Sequence, residues 1–312
     1  MRMRGSHRVR AARAALLAAH LMPRPSDNGR LFIHSSSRGF TTYTGVFENT
    51  PVSIIAFGMG SQMIDFLVRE CREVAPPGPM VIVSYGSCGG VKSSTPVGTV
   101  NVIDSCVLVT RNPDAWTNKT TTPEVTDGIV SSFQNSAPYR ISQCVRSNVN
   151  LTRHLYDFLK NSVGANNECV MGNAFTTDSF YSSQGRSDRN FEDRNKNLVS
   201  SVLSMHAEAK TMDMESFHLL DVSRCAVAPN LIAAACAVVV VANRQTGEVI
   251  DVRNLAEVEG KAGTAILRSL ANINIGELFE GVDIDKGGEG YDDEEDAGDG
   301  EKGNSDDGSS DE

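Results

Sequence analysis

M-V-I-V-S-Y-G-S-C-G-G, residues Met80 to Gly90, is where the fold is decided. Met80–Tyr85 is an apolar run broken only by Ser84, of strand length, and it feeds a cluster of glycines at Gly86-Ser87-Cys88-Gly89-Gly90. That pattern reads as a buried strand running into a glycine turn. Immediately upstream, Val52–Phe57 (V-S-I-I-A-F) enters Gly58-Met59-Gly60-Ser61, after which Met63, Leu67, Cys71 and Val74 recur at helical spacing. This predicts strand, glycine turn and helix, with Ser61 as the helix cap and A-P-P-G-P as its end. Neither glycine cluster is a G-x-G-x-x-G or a G-x-x-x-x-G-K-[ST], so nucleotide-cofactor motifs are absent.

Working outward, F-T-T-Y-T-G-V-F and V-S-I-I-A-F around an E-N-T-P turn predict a hairpin within Gly39–Phe57. Pro96–Thr110 reads as strand, 111–140 as a long loop, Asn148–Val163 as a helix and Cys169–Phe175 as a strand. Asn190–Asn197 is charged and expected to be exposed. Lys210–Leu220 is expected to enter a helix with Asp213 and Glu215 at its start, where the helix dipole favours carboxylates. Ala233–Val241 predicts a buried strand, and Leu255–Phe279 a closing helix. Alternating strands and helices imply an α/β fold, a three-layer, mainly parallel mixed sheet flanked by helices, with sites at the carboxyl ends of strands.

Composition bounds the rest. The 312 residues carry a formal charge of −10, and residues 283–312 hold 14 Asp or Glu against two Lys, so −12 lies in the tail and the body is left at +2. The body has no polybasic patch, which argues against nucleic acid as a partner. No apolar run approaches the ~20 residues a membrane span needs. Seven cysteines without C-x-x-C spacing read as reduced core residues of an intracellular chain, not as a zinc site. Residues 1–25, with six Arg and no acid, have the composition of an organellar transit peptide; equally, Gly5-Ser6-His7-Arg8 before Val9–His20 reads as a glycine turn opening a helix, a ready anion site. The expected organisation is this Arg-rich segment, a body at 26–280 and a disordered acidic tail at 281–312.

The chemistry concentrates in T-D-S-F-Y-S-S-Q-G-R, Thr177–Arg186. Gln184 offers one acceptor and two donors in a plane, Arg186 a fork of donors, and Phe180 or Tyr181 a flat apolar face. Such a set matches the edge of a uracil-like imide, although S-S-Q-G-R is also an ordinary polar loop. Read in order, R-G-F-T-T-Y-T-G, F-G-M-G-S, Y-G-S-C-G-G, T-D-S-F-Y-S-S-Q-G-R, M-D-M-E-S and V-V-A-N-R-Q-T make the chain similar to the nucleoside phosphorylase-I family, and to its uridine-cleaving branch through the Gln-x-Arg pair.

The resemblance covers about residues 5–275. It implies phosphorolysis of uridine to uracil and ribose 1-phosphate, without metal or organic cofactor and with inorganic phosphate as co-substrate. On that match Gln184, Arg186 and Glu215 would be catalytic, and Phe180, Gln184, Arg186 and Arg244 would hold the base. Met214, Glu215 and Ser87 would hold the ribose, and Arg38, Ser87, Gly86, Gly5 and Arg8 the phosphate. Arg38 would be donated across the interface of a homodimer or larger assembly. Asn243 stands where purine-cleaving relatives carry an aspartate, Ser84 where an arginine usually reaches phosphate, and Gly39 where some members hold a monovalent cation, so no such ion is expected. The implied compartment is the cytoplasm, or the mitochondrion if residues 1–25 are a transit peptide. The alternatives are a non-catalytic nucleoside-binding homologue paired with an active paralogue, and a nucleosidase that uses water.

Overall fold

The computed structural model describes residues 5–116, 137–163 and 167–280, and over 5–11 the backbone alone. Two sheets organise it. The smaller is antiparallel, in the order β1 (Phe32–Ser35), β2 (Thr41–Phe47), β3 (Thr50–Ala56). The expected hairpin is β2–β3, and its turn is tighter than E-N-T-P: only Glu48 and Asn49 connect the strands, both at positive φ (44° and 67°). Two consecutive left-handed residues match the right-handed twist of a hairpin.

The larger sheet contains β4 (Met80–Gly90), β5 (Val100–Arg111), β6 (Tyr139–Ile141), β7 (Val145–Arg146), β8 (Cys169–Thr177), β9 (Ala209–Asp213) and β10 (Ile232–Asn243). Its order is β10-β4-β9-β8-β5-β6. The long pairings β10–β4, β5–β8 and β8–β9 are parallel, so the sheet is mixed with a parallel majority. It also closes on itself, because β10 pairs antiparallel with β5 from Cys236↔Ile103 to Val239↔Val100.

Helices cover both faces: α1 (Gly5–Ala18), α2 (Ser61–Val74), α3 (Val149–Ser162), α4 (Leu198–Met205), α5 (Ser216–Arg224), α6 (Val252–Ala271) and the short α7 (Ile275–Leu278). Leu151, Leu155 and Leu159 of α3 and Val258, Ala262 and Ala265 of α6 pack on Ala235, Ala237 and Val239. The opposite face of β10 meets Ile64 and Val68 of α2 and Leu219 and Leu220 of α5. Small residues on β10 let helices approach closely, which is why so alanine-rich a segment is a central strand.

Several expectations are corrected. Met80–Gly90 is strand to its end: Gly86, Ser87 and Cys88 pair with Val238, Val239 and Val240, and no glycine here has a positive φ. The glycines serve close approach, since a Cβ on Gly90 would sit 2.7 Å from the carbonyl oxygen of Thr95 and 3.0 Å from Val240. Ser61 is the first helical residue rather than the cap; the cap is Gly60 at φ 98°, a conformation favouring glycine. The core-facing stripe of α2 is Ile64 and Val68, both buried, while Leu67 and Cys71 are only partly buried and Val74 is exposed. Lys210–Asp213 belongs to strand β9, and the helix starts only at Ser216. The closing helix is two, broken at Asn272. Of the seven cysteines, Cys88, Cys106 and Cys236 are core residues, whereas Cys144 and Cys225 are exposed. Most of the expected 111–140 loop, residues 117–136, and the expected tail at 281–312 lie outside the described residues.

The consequence for function is convergence. The register Gly90↔Asn243, Gly90↔Thr211 and Thr176↔Asp213 brings together the carboxyl ends of β4, β10, β9 and β8.

Candidate active site

The base-reading candidates sit just beyond β8. Gln184 is 6% exposed and donates from Nε2 to Thr177 Oγ1 at 3.2 Å. Its backbone carbonyl accepts from Nη2 of Arg244 at 3.0 Å, so β10 fixes the loop that β8 launches. Gly185, at φ 65°, makes the bend, and a Cβ there would meet Val199 at 3.1 Å. Arg186 lies with its guanidinium 4.0 Å from the centroid of Phe180, whose ring meets Tyr181 edge-on. Phe180 therefore turns one face to Arg186 and is 39% exposed overall.

Two guanidiniums share this half-buried place. Burial lowers the pKa of Arg186, and burial, then Arg186 itself, lowers that of Arg244. Arg186 Nε is buried without a hydrogen-bond partner. A buried donor left unpaired costs free energy, so a site of this kind favours a ligand that brings acceptor oxygens or negative charge. The pairing of Arg244 with a surface acid, the ordinary reading of that arginine, is not what the structure shows: its hydrogen bond goes to the Gln184 carbonyl.

The sugar-side candidates follow β9. Glu215 is 9% exposed and accepts from the backbone N–H of Gly60 at 2.8 Å and of Met214 at 3.3 Å. The F-G-M-G-S turn thus orients the carboxylate, and Glu215 precedes α5 without capping its amides. That task belongs to Asp213, which accepts from the Ser216 backbone at 3.2 Å, from the Ser216 hydroxyl and from Thr176 Oγ1 at 2.6 Å. Burial raises the Asp213 pKa while these hydrogen bonds oppose it. Met214 is buried beside Glu215.

Gly86 and Ser87 line one cavity of about 1010 Å³ together with Ser84, Asp213 and Glu215. With β4 straight through this point, no glycine turn cradles an anion there. The described cations on the cavity wall, Arg13 and Arg24, are ion-paired to Glu259 and Asp27. Arg38 is elsewhere in the protomer, 4.4 Å from the Phe66 ring, lining a separate cavity of about 470 Å³. Gly5 opens α1, and the side chain of Arg8 lies outside what is described.

Asn243 is held by backbone groups on every side of its amide. Its Nδ2 donates to the carbonyls of Lys92 and Thr95, both at 2.8 Å, and its Oδ1 accepts from the N–H groups of Gln245 and Thr246. The amide is saturated by backbone and ties β10 to the loop after β4.

Asn195 escapes a sequence reading altogether. Within the segment expected to be exposed it is 7% accessible, and its Nδ2 donates to the carbonyls of Ser182 at 2.9 Å and Arg186 at 3.0 Å. It clamps both ends of the Ser182–Arg186 turn. Flanking it, Tyr139 Oη donates to the Asp193 carbonyl, Trp116 Nε1 to that of Glu192, and Arg194 to that of Ala115. Nothing in the stretch sets it apart, since Asn190 and Asn197 flank it in the same charged run. Among the described residues no group of three or more His, Cys, Asp or Glu could hold a metal ion, and no helix is long and apolar enough to cross a membrane.

Comparison with known proteins places this geometry. A solved uridine phosphorylase of the oomycete Phytophthora capsici is similar at 35% identity over 84% of this chain and 87% of its own, with a TM-score of 0.73. A Trypanosoma brucei nucleoside phosphorylase (17% identity, 84% and 91% coverage, TM-score 0.63) and a putative methylthioadenosine nucleosidase of Weissella paramesenteroides (12%, 85% and 96%, 0.56) share the fold. No curated protein matches. A family model described as the phosphorylase superfamily matches residues 10–272, and with the fold and the converging strand ends this shows that the chain belongs to that superfamily.

Proposed function

We propose that the protein cleaves uridine, or a closely related pyrimidine nucleoside, with inorganic phosphate, giving uracil and ribose 1-phosphate. The family is one of pentosyltransferases acting on nucleosides. The observation that carries the finer reading is the Gln184–Arg186–Arg244 cluster, with two cations pulled below their usual pKa by burial and one buried donor unpaired.

As the glycosidic bond breaks, the sugar becomes oxocarbenium-like and the base gains negative charge on its imide oxygens. Donors held in place before the reaction stabilise that charge without reorganising. Gln184 reads the imide edge, and Arg186 supplies charge-assisted donors. Arg244 holds the Gln184 backbone and adds positive potential. Glu215, oriented by Gly60, accepts from the ribose hydroxyls, with Met214 against the sugar. An imide anion has no purine-type ring nitrogen to protonate, which suits a site with Asn243 in place of an acid. Ser87 and Gly86 face the acceptor, and Arg38 comes from a second copy in a homodimer. Residues 26–280 form the catalytic body, and the compartment is the cytoplasm, or the mitochondrion if residues 1–25 direct it there.

The test is release of uracil from uridine by the full chain as phosphate is varied, with the sugar product identified. Phosphate-dependent release with ribose 1-phosphate is the expected result; a folded chain releasing nothing sinks the enzyme reading. A second reading, hydrolysis by water, is favoured by one observation, that the described cations lining the cavity beside Ser84 and Ser87, Arg13 and Arg24, are already ion-paired. Free ribose as product, at a rate indifferent to phosphate, would select it.

A further inference from the structure

The proposed reaction gives no task to Trp116, the one tryptophan of the chain. It closes the one-turn helix Pro113–Trp116 that follows β5 and packs, partly buried, against the cluster of Val109, Tyr139, Leu198 and Val202. Guanidiniums reach its ring from two places: Arg111, the last residue of β5, with Cζ 4.0 Å from the centroid, and Arg194, at 4.4 Å. The Tyr139 ring meets it edge-on. Cations held against an indole are attracted by its π-face, so the ring fixes both side chains.

From here two routes lead to the Ser182–Arg186 loop. Along the first, Trp116 Nε1 donates to the Glu192 carbonyl at 3.0 Å and Tyr139 Oη to the next carbonyl, that of Asp193, at 2.6 Å. The Arg194 guanidinium returns to the Ala115 carbonyl while it lies on the indole. Asn195, next in sequence, turns to the loop instead and donates to the carbonyls of Ser182 and Arg186. The reversal falls at Arg194, whose φ of 48° is left-handed. That conformation costs a non-glycine residue free energy and persists where the surroundings impose it, here through three carbonyl bonds and a stacked ring. Along the second route, the Arg111 N–H donates to Asp178 Oδ2 at 3.0 Å, and Asp178 Oδ1 accepts from the Ser183 hydroxyl. Gln184 is therefore flanked by held residues, Ser182 and Ser183 before it and Arg186 after it.

We propose that Trp116 is a positioning residue for Gln184 and Arg186, acting through Arg194 and Asn195 on one side and in company with Arg111 and Asp178 on the other. A residue that merely covered the cluster of Val109 and Val202 would require neither its Nε1–H nor two stacked guanidiniums. The effect on catalysis rests on the uridine reading above; the brace itself does not. Donors that stabilise developing charge act through where they stand, so a loosened loop weakens them although every donor is still present.

Three variants divide the brace. Trp116→Ala removes ring and donor, Trp116→Phe keeps an aromatic platform without the Nε1–H, and Arg194→Gly keeps the left-handed backbone and loses the stack. Hydrogen exchange over Ser182–Arg186, with β10 as the control in the same protein, reads the loop without any ligand. The N–H groups of Gly185 and Arg186 are bonded to the carbonyls of Ser182 and Tyr181, both at 3.1 Å. Exchange there is expected to rise about tenfold or more in Trp116→Ala and about threefold in the other two variants, with β10 unchanged. In uridine cleavage Trp116→Ala should lower kcat/KM about tenfold and raise the inhibition constant of uracil, leaving the phosphate constant as it was. Adding Asn195→Ala should cost little more, since both residues lie on one line of contacts. Unchanged loop exchange in all three variants, or equally faster exchange in β10, would overturn the proposal, as would losses that simply multiply in the double variant. A parent chain that releases no uracil, while Trp116→Ala still loosens the loop, would end the uridine reading and leave the brace standing.

Discussion

The two ends of the candidate site are built in opposite ways. At the proposed base end three loop carbonyls are tied down: Arg244 holds that of Gln184, Asn195 holds those of Ser182 and Arg186, and Gly185 turns against Val199. At the proposed acceptor end Ser84, Gly86 and Ser87 line a cavity of about 1010 Å³, whose described cations, Arg13 and Arg24, are paired with Glu259 and Asp27. The difference teaches that the Ser182–Arg186 loop is fixed by its own protomer, which suits the base recognition proposed for it, whereas the wall at Ser84–Ser87 is left open.

The largest expected break falls at the base end. Arg186→Ala should lower kcat for uridine by about 10²–10³-fold, as for loss of one preorganised transition-state donor, with a smaller change in KM, as steady-state kinetics would show. Equal activity would place charge stabilisation elsewhere. Next, Ser84→Arg should sharpen the contrast by supplying a cation on the open wall. The apparent phosphate constant should fall roughly 10- to 100-fold, the range of one charge-assisted contact, with the uridine KM little changed.

Asn195→Ala should cost about tenfold in kcat/KM and ~1–3 kcal/mol of stability by denaturant titration, because it leaves two carbonyls unpaired. Both bonds run from Nδ2, so Asn195→Asp should do no better than alanine; full activity in either variant would show that the clamp does not position the loop. The smallest effect is that of pH. Burial lowers the His218 pKa from 6.5, against the opposing pull of Asp221, Asp213, Asp178 and Asp65. Below pH 6.5 the unfolded chain binds the extra proton and the folded one does not, so this contribution is complete above 6.5 and is lost progressively as pH falls toward the depressed value. Thermal melts from pH 7.5 to 5 should decline less in His218→Gln than in the parent chain.

Sequence order carried much of this. Period-two and apolar patterns locate the hairpin and the strands β4, β5, β8 and β10, and the Gln-x-Arg spacing marks the half-buried cluster of Gln184 and Arg186, because those signals are local. What failed was non-local. Gly86–Gly90 looks like a turn until Val238–Val240 is seen beside it, and Leu67, Cys71 and Val74 look like a core stripe although Ile64 and Val68 take that place. The bonds that fix Asn243, to the carbonyls of Lys92 and Thr95 some 150 residues earlier, are likewise invisible in local sequence. Asn195 gives no signal because its partners are carbonyls, which carry no residue identity.

The hydrogen bond from Gly60 N–H to Glu215 has an experimental consequence. Replacing Glu215 by alanine would release the Gly58–Ser61 turn as well as the sugar contact proposed for it, so a dead alanine variant would confuse scaffold with chemistry. Glu215→Gln retains an acceptor for Gly60 while removing the charge. A chain that keeps its melting temperature as glutamine but loses it as alanine would separate the carboxylate's architectural duty from its chemical one.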